Sequence, residues 1–468
     1  MEKSIPAHRP RPPGGKDDIR RTRDGRLRRL LLHPVRSVPV AFLGVILAGT
    51  GLLLLPLART NPTDGAVLPA LFTSVSAVCV TGLATVDTPG FWTPFGHAVI
   101  MALIQVGGLG IMALATLLAL MVCRNLGLRR QLVAQSETRT LNLGDVRTVL
   151  FRIARTTALI ESLTAAVLAV RLWAGYGYSP GEAVWYGAFH AVSAFNNAGF
   201  ALYSDSLVQF AHDPYIILPV CTAVIAGGLG FPVLIELGRR TRPRAWSTHT
   251  RLTVWGSLTL LVIGTAAFAG LEWDRAETLG GMDSPARLLA SVAGGVFPRT
   301  AGFNATDYAS LSPETLLVTD VLMFIGGGSA GTAGGIKVST FLVLAFAMWN
   351  EIRGHEQVAI GPRSISSPAQ RQALTVALLS IAAVILGTLV LLRTTGHSLE
   401  QALFEAVSAF ATVGLSTGIT PTLPPLAQAT LIALMFIGRL GPITTATALA
   451  LSSRPRLYRL PEDRPIIG

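Results

Sequence analysis

The sequence predicts an all-α membrane protein of four parallel repeats, each a span, a short re-entrant helix, a loop and a second span, set around one axis. Three observations predict it. Apolar runs of about bilayer length recur through 468 residues, half of them hydrophobic, with mean hydropathy +0.53. Four glycine-bearing runs fall at matching places along the chain, and internal repetition decides architecture before any single motif does. Arginine crowds the connections on one side only.

Residues 1–37 carry eleven Lys/Arg and read as a basic cytoplasmic tail near anionic lipid. The first repeat, 38–123, opens with a span over 39–58. Pro69 then leads the apolar half-span Ala70 to Val78, too short to cross about 30 Å of hydrocarbon as a helix. A helix that dips in and returns fits, because non-helical backbone at membrane depth is tolerated where it lines a cavity. The chain crosses back over 95–122.

The second repeat, 149–240, has a span over 153–174, then Ser179-Pro180-Gly181-Glu182, where a serine cap, a first-turn proline and a glutamate form a capping box. Its half-span ends at Phe195 and its crossing covers 216–237. The third, 250–350, has a span over 252–271 and a half-span opening at Asp283-Ser284-Pro285. Its crossing starts near 315 and meets a glycine-rich stretch, 327–337. The fourth, 372–453, has a span over 374–392, a second capping box at Ser398 to Gln401 and a crossing over 426–451, before a short tail, 454–468.

Each half-span leads into one of the four runs: Val80-Thr81-Gly82, Asn197-Ala198-Gly199, Thr300-Ala301-Gly302 and Thr412-Val413-Gly414. A serine stands six residues before the glycine in three of them, at Ser76, Ser193 and Ser408, with Val296 in the third. Glycine belongs where φ is positive and where nothing can project into an ion's path. The helix end before each run carries a partial negative charge that favours a cation. The runs hold no carboxylate, which points to carbonyl coordination of a monovalent ion. A second glycine follows in every crossing, with Gly82 to Gly107 spanning 25 residues, Gly199 to Gly227 spanning 28, and both Gly302 to Gly326 and Gly414 to Gly438 spanning 24.

One set of connections holds Arg124, Arg129, Arg130, Arg139 and Arg147, Arg239 to Arg244, Arg353, Arg363 and Arg371, and Arg454 to Arg459. The loops that follow the four glycine runs, on the other side, hold Asp87, Asp205, Asp213, Asp307 and Glu314 and no Lys or Arg before the next crossing. Positive-inside counting sets both termini in the cytoplasm and gives all four repeats one orientation, unlike the inverted repeats of many carriers. The net charge of +12 is therefore a topology signal and not a nucleic-acid surface. Cys79, Cys123 and Cys221 sit in or beside apolar runs and form neither a disulfide framework nor a metal motif. No HExxH, paired aspartates or activated serine is visible, so no enzyme is expected.

With these residues in place, the chain resembles the Trk/Ktr/HKT superfamily of potassium transporters, and most closely its Ktr-type membrane subunit, since one span precedes the first half-span. VCVTGL (78–83), FNNAGF (195–200), RTAGFN (299–304), GGSAGTAGGIK (327–337) and TVGLSTG (412–418) carry the resemblance, over about 38–455. It implies re-entrant pore helices and filter loops around a central pore, with K⁺ at the twelve residues of the four runs and Na⁺ as a second candidate ion. It implies that Gly327, Gly328, Ser329, Gly331, Thr332, Gly334, Gly335 and Lys337 form an intramembrane loop that, with Arg439, gates the pore. A homodimer, a ring of cytosolic nucleotide-binding subunits and a multi-pass place in the plasma (inner) membrane are implied as well. The competing readings are a Na⁺-coupled carrier with a midplane site and, behind it, a membrane-embedded enzyme.

Several single residues add expectations. Gly326-x-Gly328-x-x-Gly331 matches a dinucleotide fingerprint in form, but it lies in an apolar crossing with no strand before it. Arg439 stands where the other repeats have Gly108, Gly228 and Gly327, and a charge inside a crossing is expected to face the interior. It is expected to hold the loop by bonds to carbonyls, with the hydroxyls of Ser329 and Thr332 free to meet it or a cation. Arg299 is expected to point behind the filter, with Glu405 as its partner. Glu161 reads as a satisfied polar residue and Arg171 as a side chain reaching outward to water. His97, His190 and His355 share no metal-binding spacing.

Overall fold

The apolar runs become helices, and the breaks between them fall where glycine and proline stand. The computed structural model describes residues 34–61, 67–124, 146–239, 243–355, 357–360 and 363–441. Most of the basic tail, Arg129, Arg130, Arg139, Arg240 and Arg242, the end of the fourth repeat beyond 441 and the C-terminal tail lie outside the described residues.

The first repeat holds α1 (Pro34–Leu53), α2 (Val67–Val78), a single turn α3 (Thr88–Phe91) and α4 (Pro94–Arg124). The second holds α5 (Val146–Tyr176), α6 (Pro180–Phe195), α7 (Pro214–Leu229) and α8 (Phe231–Gly238). The third holds α9 (Thr248–Glu272), α10 (Ser284–Val296), α11 (Pro313–Ile325) and α12 (Val338–Ile352). A two-residue antiparallel ladder, β1 (Ala359–Ile360) with β2 (Arg363–Ser364), precedes the fourth, which holds α13 (Ser367–Thr394), α14 (Leu399–Phe410) and α15 (Pro425–Leu440). Among the described residues, α5, α9 and α13 are each long and apolar enough to span a membrane, and α7 with α8 makes a fourth candidate if the bent pair is one span. Leu159, Leu163, Val262 and Leu386 on these helices are exposed, as side chains that face lipid should be.

Both capping boxes form. Ser179 Oγ accepts from the Glu182 N–H at 3.3 Å while the Glu182 carboxylate accepts from the Ser179 N–H at 3.2 Å, and Ser398 and Gln401 repeat the exchange. Two orphan donors are satisfied at each helix start, so α6 and α14 begin where the sequence places them.

Two crossings differ from their predicted course. The second does not run through 216–237 as one helix: it bends by 104° between α7 and α8, at Gly230 with φ +91°. Pro232 in the first turn of α8 and the Phe231 N–H bond to Ala330 O at 3.3 Å show why, since the chain here receives the glycine-rich stretch of the third repeat. The fourth crossing ends as a helix at Leu440, before Gly441 at φ +87°, and its predicted continuation to 451 lies outside the described residues.

In each repeat the first span packs on its own short helix, α1 on α2, α5 on α6, α9 on α10 and α13 on α14. Each crossing also packs on the short helix of the next repeat: α4 on α6, α7 on α10, α11 on α14 and α15 on α2. That order closes on itself. Two buried clusters fill the body, one around Phe72, Phe404 and Phe410 and one around Phe195, Phe297 and Phe303.

Candidate ion filter and the loop beneath it

The four glycine runs meet at the centre of this ring. A Cβ built on Gly82 would lie 2.4 Å from Ala198 O, one on Gly199 would lie 2.9 Å from Ala301 O, one on Gly302 2.3 Å from Val413 O and one on Gly414 2.1 Å from Thr81 O. Each glycine thus touches the carbonyl just before the next repeat's glycine, in chain order and back to the start. Any side chain there would displace a neighbouring carbonyl. All four glycines have positive φ, +96°, +70°, +73° and +98°. The residue two before each does too, Val80 at +56°, Asn197 at +60°, Thr300 at +70° and Thr412 at +50°. Positive φ is uncommon for non-glycine residues and a genuine outlier for β-branched ones, so these four are held by their surroundings. Sequence reasoning found the glycines but not these, because nothing in a valine or threonine signals it.

The backbone does the holding. Thr81 N–H donates to Ser76 O at 2.7 Å, Ala198 N–H to Ser193 O at 2.8 Å and Val413 N–H to Ser408 O at 2.8 Å. In the third repeat Ala301 N–H donates to Phe297 O at 2.9 Å instead, one residue tighter. The repeated serines divide. Ser76 Oγ accepts from the Gly82 N–H at 3.0 Å and Ser408 Oγ from the Gly414 N–H at 3.1 Å, whereas Ser193 donates to Phe200 O at 2.7 Å. Beside the four glycines opens a funnel of about 320 Å³, lined also by Asp87, Tyr203, Asn304, Tyr308 and Ser416.

The crossing glycines set how close the inner helices come. A Cβ on Gly107 would lie 2.1 Å from Val78 O, on Gly227 1.8 Å from Phe195 O, and on Gly438 1.7 Å from Phe410 O. Val78, Phe195 and Phe410 each end a short helix, four residues before the glycine of a run. In the third repeat Gly326 instead meets Gly334 O, at 2.2 Å from its built Cβ, and with φ +70° it opens a loop.

That loop, 326–337, separates α11 from α12. Its ends are pinned together, Ile336 N–H on Phe324 O and Lys337 N–H on Ile325 O, both at 3.0 Å. Its body docks on the second crossing, Gly328 N–H on Gly228 O at 2.7 Å and Thr332 N–H on Gly227 O at 3.2 Å. Arg439, buried at the end of α15, donates Nη1 to Thr332 O, and Lys337 Nζ donates to Ala333 O. The predicted contact of Arg439 with a loop carbonyl is therefore present. The free hydroxyls are not: Ser329 Oγ pairs with Ser339 Oγ at 2.8 Å, and Thr332 Oγ1 donates to Asn197 Oδ1 at 2.8 Å and Phe195 O at 3.2 Å. Gly331 and Gly335 pack within the loop region, against Gly230 and Gly326.

Arg299 and Glu405 do not pair. Arg299 reaches behind its run, as expected, but donates to Ser257 O at 2.8 Å, Ser257 Oγ at 3.2 Å and Gly326 O at 3.0 Å. Glu405 accepts from Ser416 Oγ, from Thr417 N–H at 3.2 Å and from Thr420 Oγ1 at 2.8 Å, and so braces the loop after the fourth run. Both buried groups are satisfied by hydroxyls and backbone, partners a sequence does not advertise. Glu161 accepts from Gln105 Nε2 at 3.2 Å and Asn196 Nδ2 at 2.9 Å, a satisfied polar group linking two repeats. Arg171 pairs with Asp213 at 2.6 Å. His97 lies 3.0 Å from Thr88 O and His190 2.7 Å from Tyr186 O. Among the described residues no three metal-ligating side chains converge.

Comparison with known proteins gives one family. The description "TrkH: Cation transport protein" matches residues 37–456. The chain is 38% identical over 435 residues to the Ktr system potassium uptake protein B of Bacillus subtilis, covering 93% of this chain and 97% of that one. It is 33% identical over 445 residues to the potassium/sodium uptake protein NtpJ of Enterococcus hirae, covering 93% and 98%. The crystal structure of the potassium transporter TrkH from Vibrio parahaemolyticus matches with a TM-score of 0.68 at 19% identity, over 88% of this chain and 85% of that one, a likeness of fold.

Proposed function

The chain belongs to the TrkH family of cation transport proteins, a family of transporters and not of enzymes, and we propose that it is the membrane subunit that conducts K⁺ in a K⁺ uptake system. The four repeats surround a central pore. K⁺ passes the ring at Val80–Gly82, Asn197–Gly199, Thr300–Gly302 and Thr412–Gly414, where carbonyl oxygens replace its water. One observation carries this reading: the closed circuit in which each filter glycine abuts the carbonyl of the next repeat. The loop 327–337, with Lys337 and Arg439, is the gate below it. Two copies of the chain sit in the plasma (inner) membrane, termini inward, on a ring of cytosolic nucleotide-binding subunits, a reading supported by relatives named as parts of a Ktr system. The name of the Enterococcus hirae relative supports Na⁺ as a second ion, checked by comparing K⁺ uptake with and without Na⁺.

Flux of K⁺ and Na⁺ into liposomes holding the purified protein tests the core of this. The unaltered chain should favour K⁺, and Gly82→Ser should lose much of that preference, since a side chain there strikes Ala198 O. Equal passage of both ions by the unaltered protein would end the reading.

A further inference from the structure

The closed loop does more than lie beside the four runs: it hydrogen-bonds to side-chain oxygens of two of them. Thr332 Oγ1 donates to Asn197 Oδ1 at 2.8 Å and to Phe195 O at 3.2 Å, and Gly334 N–H donates to Thr300 Oγ1 at 3.3 Å. Asn197 and Thr300 are the first residues of the second and third filter runs, and Phe195 O is the final carbonyl of α6, where the helix end favours positive charge. The fourth run is approached differently. Gly334 packs so tightly on it that a Cβ would lie 2.2 Å from Thr412 Oγ1, yet that oxygen has no hydrogen-bond partner among the described residues.

We propose that Thr332 and Gly334 compete with the transported cation for the oxygens at the inner end of the filter, so that loop closure and occupation of that end exclude each other. The proposal rests on the reading of the four runs as a filter and adds how its gate is regulated. A cation entering from the cytoplasmic side would draw on Asn197 Oδ1 and Thr300 Oγ1, and in the closed arrangement each of these accepts from the loop, the first from Thr332 Oγ1 and the second from the Gly334 N–H. Removing a loop donor leaves those oxygens to the ion. Arg439 on Thr332 O and Lys337 on Ala333 O add two cationic groups to the same short stretch, so an arriving cation also meets like charge. The gate therefore reads the ion: cytoplasmic K⁺ favours the open loop.

The test is ⁸⁶Rb⁺ uptake by proteoliposomes loaded with graded internal K⁺, choline replacing it at constant ionic strength. Uptake by the unaltered chain should rise with internal K⁺. Thr332→Val, close in shape but without the donor, should lower the K⁺ for half activation by about fivefold, the usual worth of one net hydrogen bond. Thr332→Ser, which restores the hydroxyl, should return the curve to its original position. Where the valine variant does not fold, Thr332→Ala reads the same shift. An unchanged half-activating K⁺ in a folded donor-less variant that still transports would overturn the competition while leaving the filter reading standing. Absence of K⁺-selective uptake by the unaltered chain would overturn the filter reading, and the competition with it.

Discussion

Gly326 and Gly438 stand at the same place in their crossings, 24 residues beyond Gly302 and Gly414, and end in opposite structures. Gly438 stays helical and lets α15 press on Phe410 O, as Gly107 presses on Val78 O and Gly227 on Phe195 O. Gly326 turns to φ +70° and releases the chain into a loop that refolds on itself and resumes as α12. The residues on the C-terminal side of each glycine decide between the two. Past Gly326 come five more glycines by position 335, each less favourable in a helix than alanine by about 1 kcal/mol, so the helix cannot continue. Past Gly438 come Arg439 and Leu440, which keep the helix going and carry a charge to the loop. A repeated glycine thus marks a place of close approach, and its neighbours choose between contact and hinge.

The contrast breaks most sharply with alanine. Gly438→Ala would put a methyl 1.7 Å from Phe410 O, backbone against backbone, with no flexible side chain to yield. Overpacking of this kind costs about 3 kcal/mol or more, and the variant should lose most folded protein in a detergent thermal-unfolding assay. Gly326→Ala would meet Gly334 O and hold a side chain at φ +70°; the strain falls on the loop and not on a helix-to-helix contact, so the loss of stability should be smaller while ion flux changes. Gly228→Ala, whose nearest neighbour would be 3.6 Å away, should unfold with the unaltered protein. Equal stability of the Gly438 and Gly326 variants would dissolve the distinction between contact glycine and hinge glycine.

A smaller effect is expected at the charge that joins the two crossings. Arg439→Ala removes a charge-assisted hydrogen bond to Thr332 O, worth roughly 1.5–3 kcal/mol, and should raise K⁺ flux about tenfold to a hundredfold without any partner subunit. Deleting Ser329 to Ala333 removes the stretch that Arg439 holds and should do at least as much. If both variants fold and conduct no faster than the parent, the loop is a packing element.

Both capping boxes were legible in the sequence because each depends on residue type at a fixed local spacing, the four glycines because they recur at matching places in a repeated unit, and the bond from Arg439 to the loop because a charge inside a crossing must face the interior. The bend at Gly230 was not, since its cause is the loop a hundred residues on: Ser329 O would lie 2.5 Å from a Cβ at that glycine. Arg299 misled for a related reason. Charge suggested Glu405, but carbonyls at Ser257 and Gly326 bind the guanidinium, and carbonyls leave no trace in composition. Thr332 was read as a free hydroxyl because its partner, Asn197, comes from another repeat.

The smallest difference between repeats lies at the serine six residues before the filter glycine. Ser76 and Ser408 accept the N–H of Gly82 and Gly414, which fixes the orientation of two of the four peptide groups in the ring. Ser193 has turned away to Phe200 O, and Val296 can accept nothing. Opposed in the circuit are the first and third repeats, and the second and fourth, so each opposed pair has one serine-braced glycine and one without that brace. Ser76→Ala and Ser408→Ala should each remove about 1 kcal/mol of support from a filter N–H and lower the K⁺/Na⁺ flux ratio several-fold. Ser193→Ala should loosen the Phe200 link and leave the ratio close to its original value. Reversal-potential measurements on the three variants rank them directly. A fall at Ser193 as large as at Ser76 and Ser408 would mean that selectivity depends on the rigidity of the whole loop and not on the two braced peptide groups.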